Sequence, residues 1–330
     1  MNRGFWDNLP KPFFVLAPMA DVTDASFRRL IAKYSKPDGP SVMWTEFVSA
    51  DGLAFAPPDG RKKLLADLIF TEAERPIVAQ FFTSRPETME KAAALARELG
   101  FDGVDINMGC PDKSIEKQKA GAAMIKDPVL AKEIIFAAKA GAKELPVSVK
   151  TRLGYNKDEL EEWLPQLLSA NPAVVTLHAR TRKEMSLVPA RWERVKRAVE
   201  IRDAVNPNVF IMGNGDIQNM DDARERVVAT GADGAMLGKA IFGSPWLFAS
   251  SYERWKTPET LPERLKIMVE HTKLYEELLP HKNFAIMKKH YKAYVNGFDG
   301  ASELRAQLMT TNSAEEVQGI VEKYLDALTK

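Results

Sequence analysis

"DGVDINMGCPDK", residues 102–113, is the stretch on which the reading of this chain turns. Its first half alternates apolar and polar positions as a buried strand does, and its second half breaks into Asn107, Met108, Gly109, Cys110 and Pro111, a turn through which no strand continues. Cys110 is the single cysteine in 330 residues. A strand that delivers the chain's one thiol to a turn, with a helical pattern downstream, is one strand–helix unit, and the same unit recurs in both directions.

Seven further runs carry the strand signature: "FFVLAP" (13–18), "VMWTEF" (42–47), "PIVAQFF" (76–82), "PVSVK" (146–150), "AVVTLH" (173–178), "NVFIMG" (208–213) and "DGAMLG" (233–238). Between most of the eight lie amphipathic stretches such as "RPETMEKAAALAREL" and "DPVLAKEIIFAAKAGAKEL", whose Ala, Leu, Glu and Lys favour helix. Eight strand–helix repeats predict an α/β fold of the (β/α)8 TIM-barrel type, which takes about 250 residues. An open doubly wound sheet is the competing architecture, but it does not require this number of units. Near "KTPETLPE" (256–263) prolines and polar residues interrupt the pattern. The remaining C-terminal residues read as helices alone, so the expected division is a barrel over 1–255 and a smaller helical domain over 256–330.

The chain is 45% hydrophobic and 28% charged, ordinary values for a globular protein. One cysteine supplies neither an intramolecular disulfide nor a multi-cysteine zinc site. The apolar run near the N-terminus is too short to span a bilayer and lacks a convincing signal-peptide pattern, so cytoplasmic residence without a membrane partner is expected. With 46 basic and 45 acidic side chains, any polyanionic partner must be held by a local patch.

Barrel enzymes build their sites from the C-terminal ends of the strands. Those ends here carry Pro18 and Met19, Glu46, Gln80, Asn107 and Cys110, Lys150, His178, Asn214, and Gly238 with Lys239. "GNGDI" (213–217) and "GKAIFGSPW" (238–246) come after strands seven and eight, where small residues let backbone N–H groups approach a phosphate. Beyond the barrel, "HKNFAIMKKHYKAYVNGF" (281–298) sets Phe284, Met287, Tyr291 and Val295 on one stripe and Lys288, Lys289 and Lys292 on another side. With His281 and His290 it offers either a basic surface for an RNA backbone or a bundle helix with a solvated lysine face.

"LAPMADVTDASFRRL", "TEFVSADGL", "VAQFFTS", "GVDINMGCPDKSIEKQKAGAAM", "VSVKTRLG", "TLHARTR", "GNGDI" and "GADGAMLGKAIFGSPWLF", in this order, resemble the dihydrouridine synthase family, flavin enzymes that reduce uridine in transfer RNA. The resemblance covers nearly the whole chain. It implies an FMN cofactor, NADPH as electron donor, transfer RNA as substrate and no obligatory protein partner. Cys110 then protonates C5 of a uracil that receives hydride at C6, a role open to a thiol with a pKa near 8.5; the alternative is a small buried hydrophobe. Flavin-contacting positions are Pro18, Met19, Ala20, Gln80, Lys150, His178, Asn214, Gly215, Asp216, Gly238 and Lys239. Asn107 would position the uracil, unless it merely caps its turn. Arg152, Arg180 and Arg182 are candidates for RNA or flavin phosphate, and Lys288, Lys289 and Lys292 for RNA, although arginines and lysines at such places are commonly only solvated.

Two positions depart from the family's pattern: Lys239 stands where many relatives have arginine, and Asp21 where glycine is common. Two other functions share part of this reading. A flavin oxidoreductase of free pyrimidines would turn over small substrates, and a non-catalytic RNA-binding barrel would bind RNA without flavin.

Overall fold

The computed structural model describes residues 3–36 and 38–328. Its strands are β1 (Phe13–Leu16), β2 (Met43–Ser49), β3 (Ile77–Phe82), β4 (Gly103–Met108), β5 (Val147–Arg152), β6 (Val174–His178), β7 (Phe210–Asn214) and β8 (Gly234–Leu237). Its α-helices are α1 (Ala25–Ser35), α2 (Ala50–Phe55), α3 (Pro58–Ala66), α4 (Pro86–Glu98), α5 (Lys113–Lys117), α6 (Pro128–Ala142), α7 (Leu160–Ser169), α8 (Trp192–Val205), α9 (Met220–Thr230), α10 (Leu261–Leu278), α11 (Met287–Tyr294), α12 (Ala301–Leu308) and α13 (Ala314–Leu328).

All eight expected strands form, and β2, β4, β5 and β7 run on past their expected ends to Ser49, Met108, Arg152 and Asn214, so the turn expected from Asn107 begins only after Met108. They pair in parallel in the order β1-β8-β7-β6-β5-β4-β3-β2. Hydrogen bonds from Ser41 N to Phe14 O (2.7 Å) and from Leu16 N to Val42 O (3.1 Å) join the two edges, so the sheet closes into a (β/α)8 barrel. Local chemistry agrees with the topology at the helix starts. Pro86 and Pro128 open α4 and α6, where a missing N–H costs nothing, and the carboxylates of Asp112 and Asp127 accept from the first turns of α5 and α6.

The N-terminal ends of the strands are sealed by a short 3-10 helix, Gly4–Asn8, whose Trp6 is 1% exposed and packs against Phe13, Trp44 and Phe210. With that end filled, the C-terminal end is the open mouth. The parallel register then decides which side chains meet there. Gln80 pairs with Asp105 and Asp105 with Ser148; one layer higher, Asn107 pairs with Lys150; above that, Arg152 pairs with His178 and His178 with Asn214. A register shift in β2 between Trp44 and Phe47, opposite β3, sets Phe47 beside Gln80.

Two compact units divide the chain. The first contains all eight strands: the chain up to Ala20, Pro40–Leu68 and Arg75–Lys239. The second gathers Asp21–Gly39, Ile69–Glu74 and the chain from Ala240 onward, so it takes in α1 and begins earlier than the residue 256 at which the sequence places the division. Within it, the buried Arg28 guanidinium pairs with Glu74 at 2.7 Å and donates to Thr23 O and Ile69 O. Asp21 adopts a φ of +54°, a left-handed conformation that asks least of glycine and is tolerated by aspartate. That is a physical reason for the departure noted at this position to be a mild one.

Within the 281–298 segment, α11 spans Met287–Tyr294; Met287, Tyr291 and Val295 of the expected stripe are buried, whereas Phe284, in a preceding 3-10 turn, is only half-buried. His290, expected to add to a basic surface, does not: it is fully buried and its ring lies 4.6 Å from that of His271, 5.1 Å from that of Phe27 and 5.7 Å from that of Phe242. Burial pushes its pKa down to about 3, which leaves it neutral. Three residues after Met287, it falls on the inner side of the helix. Lys292 is exposed, and Lys288 and Lys289 are half-buried.

Candidate active site

Two cavities open at the barrel mouth, and Lys150 and Pro18 line both. The smaller, about 150 Å³, is walled by Phe47, Gln80, Asn107, Gly109, Cys110, Pro111 and Arg152. The larger, about 290 Å³, is walled by Ala17, Met19, His178, Arg180, Ser186, Asn214, Gly215, Asp216, Ile217, Met236, Gly238 and Lys239. Of the expected flavin positions only Ala20 lines neither, and it is exposed.

The Cys110 turn is held from several directions. Asn107 Oδ1 accepts the backbone N–H groups of Gly109 (3.1 Å) and Cys110 (2.9 Å), so the turn-capping role is real. Its Nδ2 meanwhile donates to Gln80 Oε1 at 3.2 Å. Gln80 Nε2 donates in turn to Asp105 Oδ2 at 2.5 Å, and Ser148 Oγ donates to Asp105 Oδ1 at 2.5 Å. An acceptor-only carboxylate at the base of this chain fixes which end of the Gln80 amide points at Asn107. On the far side, Ala122 N donates to Cys110 O at 2.9 Å. Gly121 lies so close that a Cβ there would stand 2.8 Å from Cys110 O, which accounts for the glycine of "AGAAM".

Arg152, considered for phosphate binding, has its guanidinium among backbone carbonyls: Nε donates to Gly109 O at 2.7 Å, and one terminal nitrogen donates to Thr181 O and Met185 O. It ties the cysteine turn to the loop after β6. Arg182 strengthens the same tie by pairing with Glu116 of α5 through two hydrogen bonds, and it lines neither cavity. Arg180 faces the larger cavity, donating to Val188 O (2.5 Å), pairing with Asp216 and lying 3.1 Å from His178 Nε2.

Electrostatics follow from burial with few compensating charges. Burial pushes the Cys110 thiol up; the Asp112 backbone N–H opposes the rise, the Asp112 carboxylate adds to it, and Arg152 and Lys150 oppose it further but only in part, so the thiol is protonated at neutral pH. Lys150, whose Nζ donates to Asn214 Oδ1 at 3.1 Å, is pushed down to about 8 by burial and by Arg152. Asp105 is raised to about 6 by burial, against its hydrogen bonds and Lys150. His178 lies well below its ordinary value through burial and the neighbouring cations, which keeps the ring neutral.

The larger cavity suits an anion with a bulky body. Its cations are Lys150, Arg180 and Lys239, and its floor includes Gly215 at φ +124°, where an added Cβ would stand 2.8 Å from Ala190 Cβ and 3.1 Å from His178 Cδ2. Sequence reasoning did not single out Asp105, Ser148, Phe47 or Ser186. Asp105 carried a readable signal: it is a charged residue two positions before Asn107, on the same face of an otherwise apolar strand.

A closed parallel barrel whose mouth joins a cation-lined cavity to one holding a half-buried, protonated thiol defines a barrel enzyme with its site at the C-terminal end. The model of the family described as dihydrouridine synthase (Dus) matches residues 15–329. A probable tRNA-dihydrouridine synthase 2 of Bacillus subtilis (strain 168) is 41% identical over 334 residues, covering 99% of this chain and 100% of its own. A probable tRNA-dihydrouridine synthase of Staphylococcus aureus (strain MRSA252) is 38% identical over 327 residues, covering 98% of this chain and 96% of its own. Among solved structures, morphinone reductase in complex with tetrahydroNAD superposes with a TM-score of 0.52 at 13% identity over 76% of this chain and 91% of its own, a likeness of fold. The chain belongs to the dihydrouridine synthase family. No helix among the described residues is long and apolar enough to cross a membrane.

Proposed function

We propose that this protein is a cytoplasmic tRNA-dihydrouridine synthase that holds FMN and reduces the C5=C6 bond of particular uridines at the expense of NADPH. The observation that carries the reading is the shared wall: Lys150 lines both the cation-rich cavity and the one that contains Cys110. The residues present fit FMN. Gly215, Gly238 and Lys239 suit its phosphate, a neutral His178 offers a hydrogen-bonding nitrogen without a competing charge, and Lys150 and Gln80 suit the ring edge.

When bound, FMN would supply the hydride that the C6 position of the uracil takes up. The chain's own contribution is the complementary proton. Addition at C6 leaves negative charge on C5 and the C4 carbonyl, and Cys110, protonated through neutral pH, delivers its S–H proton to C5. Asn107 holds the turn that presents the thiol and keeps its second amide N–H for the base. Arg152 acts on the turn through Gly109 O, and Lys150 as a cation offsets charge that develops between the cavities. A uridine stacked within folded RNA must leave its stack to enter a cavity of about 150 Å³. Lys288, Lys289 and Lys292 of the helical unit then help to orient the RNA by contacts with its backbone.

The test is incubation of the flavin-loaded protein with unmodified transfer RNA and NADPH or NADH, with dihydrouridine quantified by nucleoside mass spectrometry and Cys110→Ala alongside. Product from wild type, faster with NADPH and nearly absent from the variant, supports the reading. Flavin-loaded protein that leaves a mixed transfer RNA pool unmodified but turns over free pyrimidines refutes it.

A further inference from the structure

The short helix α3 has no buried residue, which makes it an exception among the helices of the barrel unit. Surface helices are ordinarily held in place by burying an apolar stripe, and a nine-residue helix has little stability of its own in water. What α3 presents is charge. Arg61, Lys62 and Lys63 are consecutive and exposed, and Lys91 on α4 stands across from Arg61 on a cavity of about 210 Å³ floored by Ala50, Leu53, Ala54, Ala92 and Leu95. These four cations make no ion pair with any described residue.

Nearby acids do not neutralise them. Asp51 takes the hydroxyls of Thr83 and Thr88 and faces Arg85 at 3.7 Å. Glu87 and Glu90 line another cavity, on the α6 side of α4, which Lys91 shares with Arg97 and Lys143, so these carboxylates approach only Lys91 of the four and leave Arg61, Lys62 and Lys63 unopposed. Asp59 sits in the first turn of α3, where the helix dipole favours it, and Asp67 closes the helix. Beside the cations, Phe55 is 60% exposed with the Arg85 guanidinium 5.5 Å from its ring centre. A cationic face with an exposed aromatic ring is the composition that meets ribose-phosphate backbone and unstacked bases.

The location matches. β2 contributes Phe47 to the wall of the Cys110 cavity, and α2 starts at the residue after β2 ends. α4 leaves the same rim soon after β3, which contributes Gln80, and Lys91 lies roughly 8 Å along it from Pro86 at 1.5 Å per residue. The cations thus stand on the helices that follow β2 and β3, the two strands that supply Phe47 and Gln80 to the thiol cavity.

We propose that Arg61, Lys62, Lys63 and Lys91 form a docking surface for the RNA backbone that flanks the base held in the Cys110 cavity. This rests on the function proposed above and adds to it a surface on the barrel itself, separate from the lysines of α11.

The test uses the flavin-loaded protein carrying Arg61→Ala, Lys62→Ala and Lys63→Ala together, the same triple with Lys91→Ala, and a charge-conserving Arg61→Lys, Lys62→Arg, Lys63→Arg control. Transfer RNA Kd is measured across salt concentrations, and NADPH-driven flavin reduction without RNA reports an intact barrel. The neutralised triple is expected to bind at least about tenfold more weakly, with the slope of log Kd against log salt flattened by roughly 0.7–0.9 for each lost phosphate contact. The KM for transfer RNA should rise with kcat nearly constant, while the charge-conserving control binds as wild type. Unchanged Kd and salt slope in a triple that still makes dihydrouridine would overturn the docking surface and leave the proposed function standing. A triple that changes only the oligomeric state would assign the face to a second copy and also overturn it. Wild type that neither binds nor modifies transfer RNA would remove the function and this surface together.

Discussion

Asn107 Oδ1 accepts the backbone N–H of Cys110 at 2.9 Å while Asn107 Nδ2 donates to Gln80 Oε1 at 3.2 Å. One amide thus couples the thiol turn of β4 to the middle of β3. Behind Gln80 stands Asp105, so the presentation of the thiol depends on a carboxylate that lines neither cavity of the mouth.

Replacing Cys110 by alanine should lower dihydrouridine formation by about a hundredfold to ten-thousandfold, the usual contribution of a positioned general acid, with flavin retained. Because the acid works in its protonated form and burial raises the thiol's pKa, its activity limb falls only as pH climbs above the ordinary thiol range. The pH dependence of single-turnover product formation checks this.

Asp105→Asn leaves an amide where Gln80 and Ser148 both donate, so one of them must face an N–H. The Gln80 amide loses its fixed direction, and kcat should fall about ten- to a hundredfold with little change in flavin content. A stability signature accompanies it. Wild-type Asp105 has a folded pKa of about 6, above the unfolded value, so the native form binds more protons and stability falls as pH rises from about 4 to 6. Denaturation of the two proteins between pH 3.5 and 7 should differ in slope only in that window.

Lys150→Met should stabilise the flavin-free protein at neutral pH while abolishing activity. The wild-type lysine keeps its charge in the fold at a cost that is full below about pH 8 and vanishes as pH approaches the unfolded value of 10.5. The difference in Tm should therefore be largest below pH 8 and close by about pH 10.5.

Gly215→Ala forces a Cβ into space already held by Ala190 and His178 at a backbone angle that side chains rarely adopt. A loss of about 2 kcal/mol or more and a reduced flavin-to-protein ratio are expected, read by thermal melting and flavin absorbance.

His290→Phe should leave RNA affinity close to wild type, because the imidazole is sealed among aromatic rings. Its folded pKa of about 3 lies below the unfolded value, so the wild-type helical unit loses stability as pH falls from 6.5 towards 3. The variant should show a shallower acid dependence in the same melting series.

Much of the barrel was legible because strand identity is a local property. Short runs rich in Val, Ile, Leu and Phe read alike wherever they stand, and all eight runs became strands. The ring of polar residues at the strand ends was legible for the same reason. His290 was not: its sequence neighbours are Lys288, Lys289 and Lys292, and only packing against Phe27, Phe242 and His271 reveals that it faces inward. Arg152 likewise reads in the sequence as a candidate for RNA or flavin phosphate, yet its hydrogen bonds run to carbonyls of residues 109, 181 and 185.

By itself the sequence determined that eight strand–helix units exist, that one thiol stands at the end of the fourth, and that the seventh and eighth end in small residues. Those are matters of residue type and spacing, which local sterics and periodicity translate directly into structure. Only the tertiary structure decided that Asp105 holds Gln80, that Gln80 holds Asn107, that Lys150 stands between two cavities, and that the cations of α3 have no ion-pair partner among the described residues. Such relations depend on the register of neighbouring strands and on which charges meet across distant segments, and a linear pattern with period two carries no record of either.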